Sequence, residues 1–145
     1  LLFVAHVFDT VNWGVKEGTS SRGFIFFKRD EVGEIDMARK MKITAGVPLY
    51  NSLTTIRRVI DEVMRQSHPL EEIIVVDDGS SDGSGAKAMT PYVRLITHNR
   101  NRGLAEARNT IVENAGHEIV AFFDADAIPG RDCVKHLVKH FKDPE

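Results

Sequence analysis

Cysteine is nearly missing from this sequence: Cys133 stands alone among 145 residues. No internal disulfide can form, and a reducing compartment suits such a chain. An excess of charge is missing too, with 19 Lys and Arg against 21 Asp and Glu and a formal net charge of -2. That balance offers no bulk attraction to nucleic acid or to an anionic membrane, and no nucleic-acid partner is expected. Long apolar runs are absent as well. The apolar opening Leu1–Phe8 contains His6 and is far shorter than the roughly 20 residues a membrane helix needs. It also lacks the basic start of a signal peptide. We therefore expect no transmembrane segment in this chain and a cytoplasmic location, with peripheral association at the inner face of the membrane left open for the full-length protein. No Gly-x-x-x-x-Gly-Lys-Ser/Thr loop occurs, which disfavours a P-loop NTPase. No Gly-x-Gly-x-x-Gly follows a strand, which disfavours a dinucleotide site. No internal repeat or low-complexity tract stands out.

What is present is a hydrophobic content of 42%, enough for one globular domain with a real core. From Met41 onward the pattern is regular. Lys42–Val47 reads as a strand ending at Pro48, and Ser52–Gln66 as a helix with Leu53, Ile56, Val59, Ile60, Val63 and Met64 on one face. Asn51 or Ser52 would cap it. Glu72–Asp77 is an unbroken apolar run of the kind buried on both faces of a parallel sheet. Gly79–Gly85 reads as loop and Tyr92–Thr97 as a third strand. Leu104–Ala115 reads as a helix, with Leu104, Ala107, Ile111, Val112 and Ala115 inward and Gly116 as its stop. Glu118–Phe123 is a fourth strand, and Asp132–Phe141 a last helix. Residues 1–40 are less legible: Leu1–Phe8 and Phe24–Phe27 read as strands, Gly18–Gly23 as loop, and Asp30–Arg39 as a polar helix. The chain opens without methionine and stops just past a helical pattern, so we expect a fragment divided into residues 1–40 and residues 41–145.

Strands alternating with amphipathic helices predict an α/β fold: a three-layer sandwich around a mostly parallel, Rossmann-like sheet. Ligands of such sheets bind beyond the carboxyl ends of the strands, and the unusual polar residues fall there. Asp77 and Asp78 close an apolar strand side by side. Neighbours on a strand face opposite ways, so one can meet a base N–H in a cleft while the other braces the loop. Both would serve equally as caps of the turn that follows. Asp124-Ala125-Asp126 follows Ala121–Phe123. Two carboxylates at a buried strand end call for a cation. Mg²⁺ or Mn²⁺, hard and oxygen-seeking, would fit and could neutralise a diphosphate leaving group. A solvated turn is the alternative. Asn99–Asn109 joins a loop to a helix start. It offers Gly103 for close backbone approach and Arg100, Arg102 and Arg108 for charge, of which we expect at most one to touch ligand. His136 and His140 lie one helical turn apart without a third ligand and read as a surface pair. His68 reads as a loop residue and Cys133 as core.

Together these segments resemble the family 2 glycosyltransferases of GT-A fold, over about Lys42 to Phe141. Val47-Pro48-Leu49-Tyr50-Asn51 looks like that family's Pro-x-Tyr-Asn element. Ile73–Asp82 is similar to its most recognisable run, Asn99–Asn109 to its Asn-x-Gly-x-x-x-Ala-Arg-Asn segment, and Val120–Asp126 to the strand carrying its Asp-x-Asp. The resemblance implies that Pro48, Tyr50 and Asn51 line a nucleoside pocket, that Asp78 contacts the base, usually uracil, and that Asp77 supports it. Asp124 would lie near the ribose or the sugar and Asp126 would hold the metal, with Arg102 and Ala125 also among the nucleotide-sugar-binding residues. It further implies inverting transfer of a sugar from a nucleoside-diphosphate sugar to an acceptor hydroxyl, with a carboxylate base expected beyond Glu145. The acceptor, whether glycan, lipid or protein, is not legible. Leu49 stands where the family usually has a small polar residue. Gly23–Asp36 is faintly similar to a segment of the family's acceptor half, which here would be permuted in order.

Three other readings compete. A sugar nucleotidyltransferase wants a Gly-rich basic loop after the first strand, which Pro48–Ser52 is not. A response-regulator-like domain wants an acidic pair at the end of the first strand, which Ala45–Pro48 lacks. A non-catalytic nucleotide-sugar-binding fragment would keep the site and transfer nothing.

Overall fold

A computed structural model describes residues 23–27 and 42–139. The readings of Leu1–Phe8 and Asp30–Arg39, and the residues His140 and Phe141, lie outside the described residues. In chain order the elements are β1 (Gly23–Phe27), β2 (Ile43–Leu49), α1 (Ile56–Met64), β3 (Glu72–Asp77), α2 (Ser84–Ala88), β4 (Arg94–Thr97), α3 (Leu104–Asn114), β5 (Ile119–Phe123) and α4 (Cys133–Lys139). The sheet runs β1-β5-β2-β3-β4. β2 pairs in parallel with β3 and β5, and β3 in parallel with β4. β1 alone is antiparallel, laid beside β5 on the side away from β2.

The alternation of side chains along the strands sorts the molecule into three layers. Ile43, Ala45, Val47 and Leu49 of β2, Ile73 and Val75 of β3, and Ala121 and Phe123 of β5 face the layer made by α1, α2 and α4. Ile74 and Val76 of β3 and Val120 and Phe122 of β5 face α3 through Ala107 and Ile111. The apolar stripe of α1 buries Ile56, Val59, Ile60 and Val63. Each such side chain contributes about 1.5–3 kcal/mol when taken fully out of water. α3 lies close on β2 because residue 46 is glycine: a Cβ there would stand 2.6 Å from Ile111 Cγ2 and 3.2 Å from Phe122. Among the described residues no helix is long and apolar enough to cross a membrane.

Several boundaries differ from expectation. β2 runs through Pro48 to Leu49. Leu49 O accepts the Asp78 N–H on the β3 side, so the Pro48 nitrogen faces the β5 side, where pairing stops at Gly46 and no ladder bond is missed. α1 starts four residues later than its apolar pattern suggests. Ser52 O accepts the N–H groups of Thr55 and Ile56 in a preceding turn, so neither Asn51 nor Ser52 caps the helix. Leu53 and Met64, at the ends of the stripe, are partly exposed, and Leu104 is exposed at the first position of α3. Gly116 has no positive φ. α3 ends as Ala115 turns extended, and the Gly116 N–H donates to Glu72 Oε2 at 2.9 Å. The segment read as loop holds α2 from Ser84, and Gly23 belongs to β1 rather than to the loop before it. The third strand starts only at Arg94.

Overpacking at the α3–β2 contact should be costly. Gly46→Val is expected to destabilise the fold by about 1–3 kcal/mol, read as a lower urea midpoint with an unchanged m-value.

Candidate functional site

The same alternation carries past the carboxyl ends of the strands. Asp78, His98 and Asp124 continue the α3 face of β3, β4 and β5, and Pro48 lies on that face of β2. Asp77 and Ala125 continue the opposite face. Four segments distant in sequence therefore meet at one edge, and three sets of contacts fasten them.

The first joins the loop after β2 to the loop after β3. Asn51 sits at φ 46°, a left-handed conformation that asparagine tolerates better than most residues. Its backbone N–H donates to Ser80 Oγ at 3.0 Å and its side-chain oxygen accepts the Ser81 N–H at 2.9 Å. The Leu53 N–H donates to Asp82 Oδ2 at 3.0 Å. Asp82 also accepts from Ser84 through both N–H and hydroxyl, the side-chain anchor that starts α2. Asp77 Oδ1 accepts the Ser80 N–H at 3.0 Å. Its carboxylate rests on Gly85, where any Cβ would collide with Oδ2.

The second fastening is Asp78, only 3% exposed. Oδ1 accepts from His98 Nδ1 at 2.6 Å and from the Arg102 N–H at 2.9 Å, and Oδ2 accepts the Gly103 N–H at 2.8 Å. Burial pushes this carboxyl up. The hydrogen bonds from His98, Arg102 and Gly103, with the charge of His98, outweigh it and hold the group below its ordinary value. Gly79, at φ +74°, presses on the same loop: a Cβ would lie 2.6 Å from the backbone carbon of Arg100. That close approach, which the sequence reading assigned to Gly103, belongs to Gly79. Gly103 has open space around its Cβ direction, and its φ of +94° is what demands glycine.

The third set holds the Asp-x-Asp. Thr55 Oγ1 donates to Ala125 O at 2.8 Å, and the Ala125 methyl is buried in the core. Ala125 thus spaces the two carboxylates, and its side chain offers no surface to a ligand. Arg108 of α3 stacks 5.7 Å from the Phe122 ring centroid and sets Nη2 3.5 Å from Asp124 Oδ1. Asp126 stands exposed at the rim.

The residues expected to bind are therefore gathered at one edge, with different degrees of access. Tyr50 is 49% exposed. Pro48 is buried and Asn51 exposed. Arg102 extends to a salt bridge with Glu106 Oε1 at 2.6 Å and, with Arg100 and Asn101, lines an open depression of about 360 Å³. Both aspartates of the strand-end pair act as braces, on opposite faces. Sequence reasoning overlooked His98, whose only signal was a polar residue continuing a strand's inward face. Cys133 is half-buried and packs against the core, where burial pushes its thiol up. Among the described residues no three His, Cys, Asp or Glu side chains converge to hold a cation. The donors Asp124 and Asp126 still suit Mg²⁺ or Mn²⁺, which take one or two carboxylates and complete their shell with substrate phosphates.

A parallel sheet with helices on both faces and these loops at its carboxyl edge is the architecture of a GT-A glycosyltransferase domain. The chain belongs to glycosyl transferase family 2, whose sequence model matches residues 44–145. It is 37% identical to glycosyltransferase GlyA of Streptococcus pneumoniae over 102 residues, 68% of this chain and 15% of that protein. It superposes on the Pyrobaculum calidifontis mannosyltransferase PcManGT, solved with GDP-Man and Mn²⁺, with a TM-score of 0.67 and 33% identity, covering 74% of this chain and 34% of that one. Glucosyl-3-phosphoglycerate synthase of Mycobacterium tuberculosis, solved with Mn²⁺, UDP and phosphoglyceric acid, gives a TM-score of 0.62 at 26% identity, covering 72% and 41%. The chain spans less than half the length of each of these relatives.

The depressed Asp78 value fixes the sign of a pH effect. A carboxyl whose folded pKa lies below its unfolded one stabilises above the ordinary carboxylate range and loses that contribution as pH falls through the folded value. Asp78→Asn should cost about 1–3 kcal/mol at pH 7. Urea titrations should show the gap to wild type narrowing below about pH 4.

Proposed function

We propose that this chain is the donor-binding half of a metal-dependent, inverting glycosyltransferase that uses a nucleoside-diphosphate sugar, expected to be a UDP-sugar. The observation that carries the reading is the convergence of Asp78, Asp124 and the Asn99–Gly103 loop on the α3 side of the carboxyl edge. The complexes of the two structural relatives with GDP-Man and with UDP, each with Mn²⁺, support it.

In this reading exposed Tyr50, with Pro48 and Asn51, lines the nucleoside pocket. Asp78 approaches the base through Oδ2, which the Gly103 N–H occupies on one side only, and Asp77 fixes the Ser80 loop beneath it. Arg102 turns from Glu106 toward the diphosphate, which also meets the first N–H groups of α3. Asp124, its charge balanced by Arg108, faces the ribose or sugar. Asp126, with Asp124 nearby, would hold Mg²⁺ or Mn²⁺. That ion supplies charge neutralisation for a departing nucleoside diphosphate. Transfer itself requires an acceptor hydroxyl to attack the anomeric carbon in line as the diphosphate leaves, with a carboxylate taking the hydroxyl proton. We place that base outside residues 42–139, in the acceptor-binding portion of the full-length protein.

Calorimetric titration of UDP tests the reading. Binding is expected with Mn²⁺ and should be abolished by EDTA. Asp126→Ala should weaken it at least about tenfold, a loss of about 1.4 kcal/mol, with the thermal midpoint unchanged because an exposed carboxylate adds little to packing. UDP affinity indifferent to metal, or to this substitution, would remove Asp126 from the site. Loss of cooperative unfolding would make it a structural residue.

A further inference from the structure

His98 is buried beneath the carboxyl edge and has no part in the assignments above. Its ring is held at both ends, by Asp78 Oδ1 at 2.6 Å from Nδ1 and by Thr110 Oγ1 at 3.0 Å from Nε2. An ionised carboxylate can only accept, so Nδ1 carries a proton. The Thr110 hydroxyl can donate or accept and so satisfies Nε2 in either protonation state. The ring thereby braces the end of β4 against α3 and aims one donor at Asp78.

Asp78 passes that constraint on. The N–H groups it accepts from, Arg102 and Gly103, are the last two before α3. The loop they close carries Arg100 and Arg102 and is backed by Gly79 from the other side. Without the His98 donor, Oδ1 would keep only the Arg102 N–H, and a buried carboxylate short of donors is costly. Such a loop would have to be ordered again at each binding event, at the expense of affinity.

We propose that His98 is a positioning residue for diphosphate recognition: through Asp78 it fixes the Asn99–Gly103 loop in the shape that presents its arginines and the start of α3 to the donor. This rests on the reading of the edge as a nucleoside-diphosphate site. The role falls mainly on the diphosphate, because the groups set in place with the loop are cationic side chains and backbone N–H groups, whereas Asp78 meets the base through Oδ2 rather than the oxygen His98 holds, and Asn51 is fastened separately to the β3–α2 loop.

The test compares wild type with His98→Leu, which keeps bulk and loses the donor, and His98→Asn, whose amide nitrogen stands as many bonds from the backbone as Nδ1. His98→Gln, with its donor one bond too far, is the second loss variant should the leucine variant unfold. Amide hydrogen exchange at Arg102 and Gly103, without ligand, is expected to quicken at least about tenfold in the loss variants while β3 amides stay protected. With Mn²⁺ present, UDP affinity should fall about tenfold or more and uridine affinity by clearly less. The asparagine variant should return both toward wild type. Unchanged exchange, unchanged UDP affinity, or equal losses for UDP and uridine would each overturn the role. Failure of the wild type to bind UDP would overturn the nucleotide-site reading and this inference with it. That case is told apart because the exchange comparison needs no ligand.

Discussion

The buried carboxylate of Asp78 ties together more of the functional edge than any single apolar contact described above. Its two oxygens collect donors from the end of β4 and from the last two residues before α3, while its own N–H extends the ladder to Leu49 at the end of β2. A charge taken so far out of water is tolerable only when hydrogen-bond donors meet both of its oxygens. Those donors belong to residues 20 to 25 positions further along the chain. The edge and the core are thus coupled, since Asp78 holds the residues that lead into α3, and α3 lies close on the sheet where residue 46 is glycine.

The layer arrangement also divides labour. On the α1 side, Asp77, Asn51, Asp82 and Thr55 bind loops to one another, each of the four side chains through a backbone partner. On the α3 side, Asp124 and Arg108 face each other at 3.5 Å, and Arg100 and Arg102 open onto solvent. A rigid half supporting an accessible half is what a binding site on loops requires: the scaffold limits the ordering that a ligand must impose. β1, antiparallel at the sheet's far edge beside β5, covers a strand that would otherwise expose its backbone donors and acceptors next to the Asp-x-Asp.

The sequence by itself determined the α/β class, the succession of strands along the chain from Ile43 onward and the family, because apolar periodicity and strand-end motifs are local in the chain, while the order of those strands in the sheet was left to the tertiary structure. Ile73–Asp82 and Val120–Asp126 declare both a buried strand and the acidic residues at its end. It also determined that Asp77 and Asp78 must part to opposite faces, since the pleat leaves no alternative. Only the tertiary structure decided what each then meets. α2 was hidden because five residues are too few to show a helical period and its start lies in a Gly- and Ser-rich stretch, while in the structure Asp82 holds the Ser84 N–H and the Asp77 carboxylate rests on Gly85. The start of α1 moved to Ile56 because Asn51 was drawn off to Ser80 and Ser81, nearly thirty residues away. His98 gave only a faint sign in the sequence, for a lone histidine after a strand acquires meaning only when Asp78 and Thr110 close on its two nitrogens. Hydrogen bonds between distant segments have no period for a sequence to display, and at this edge they fix how each carboxylate is held.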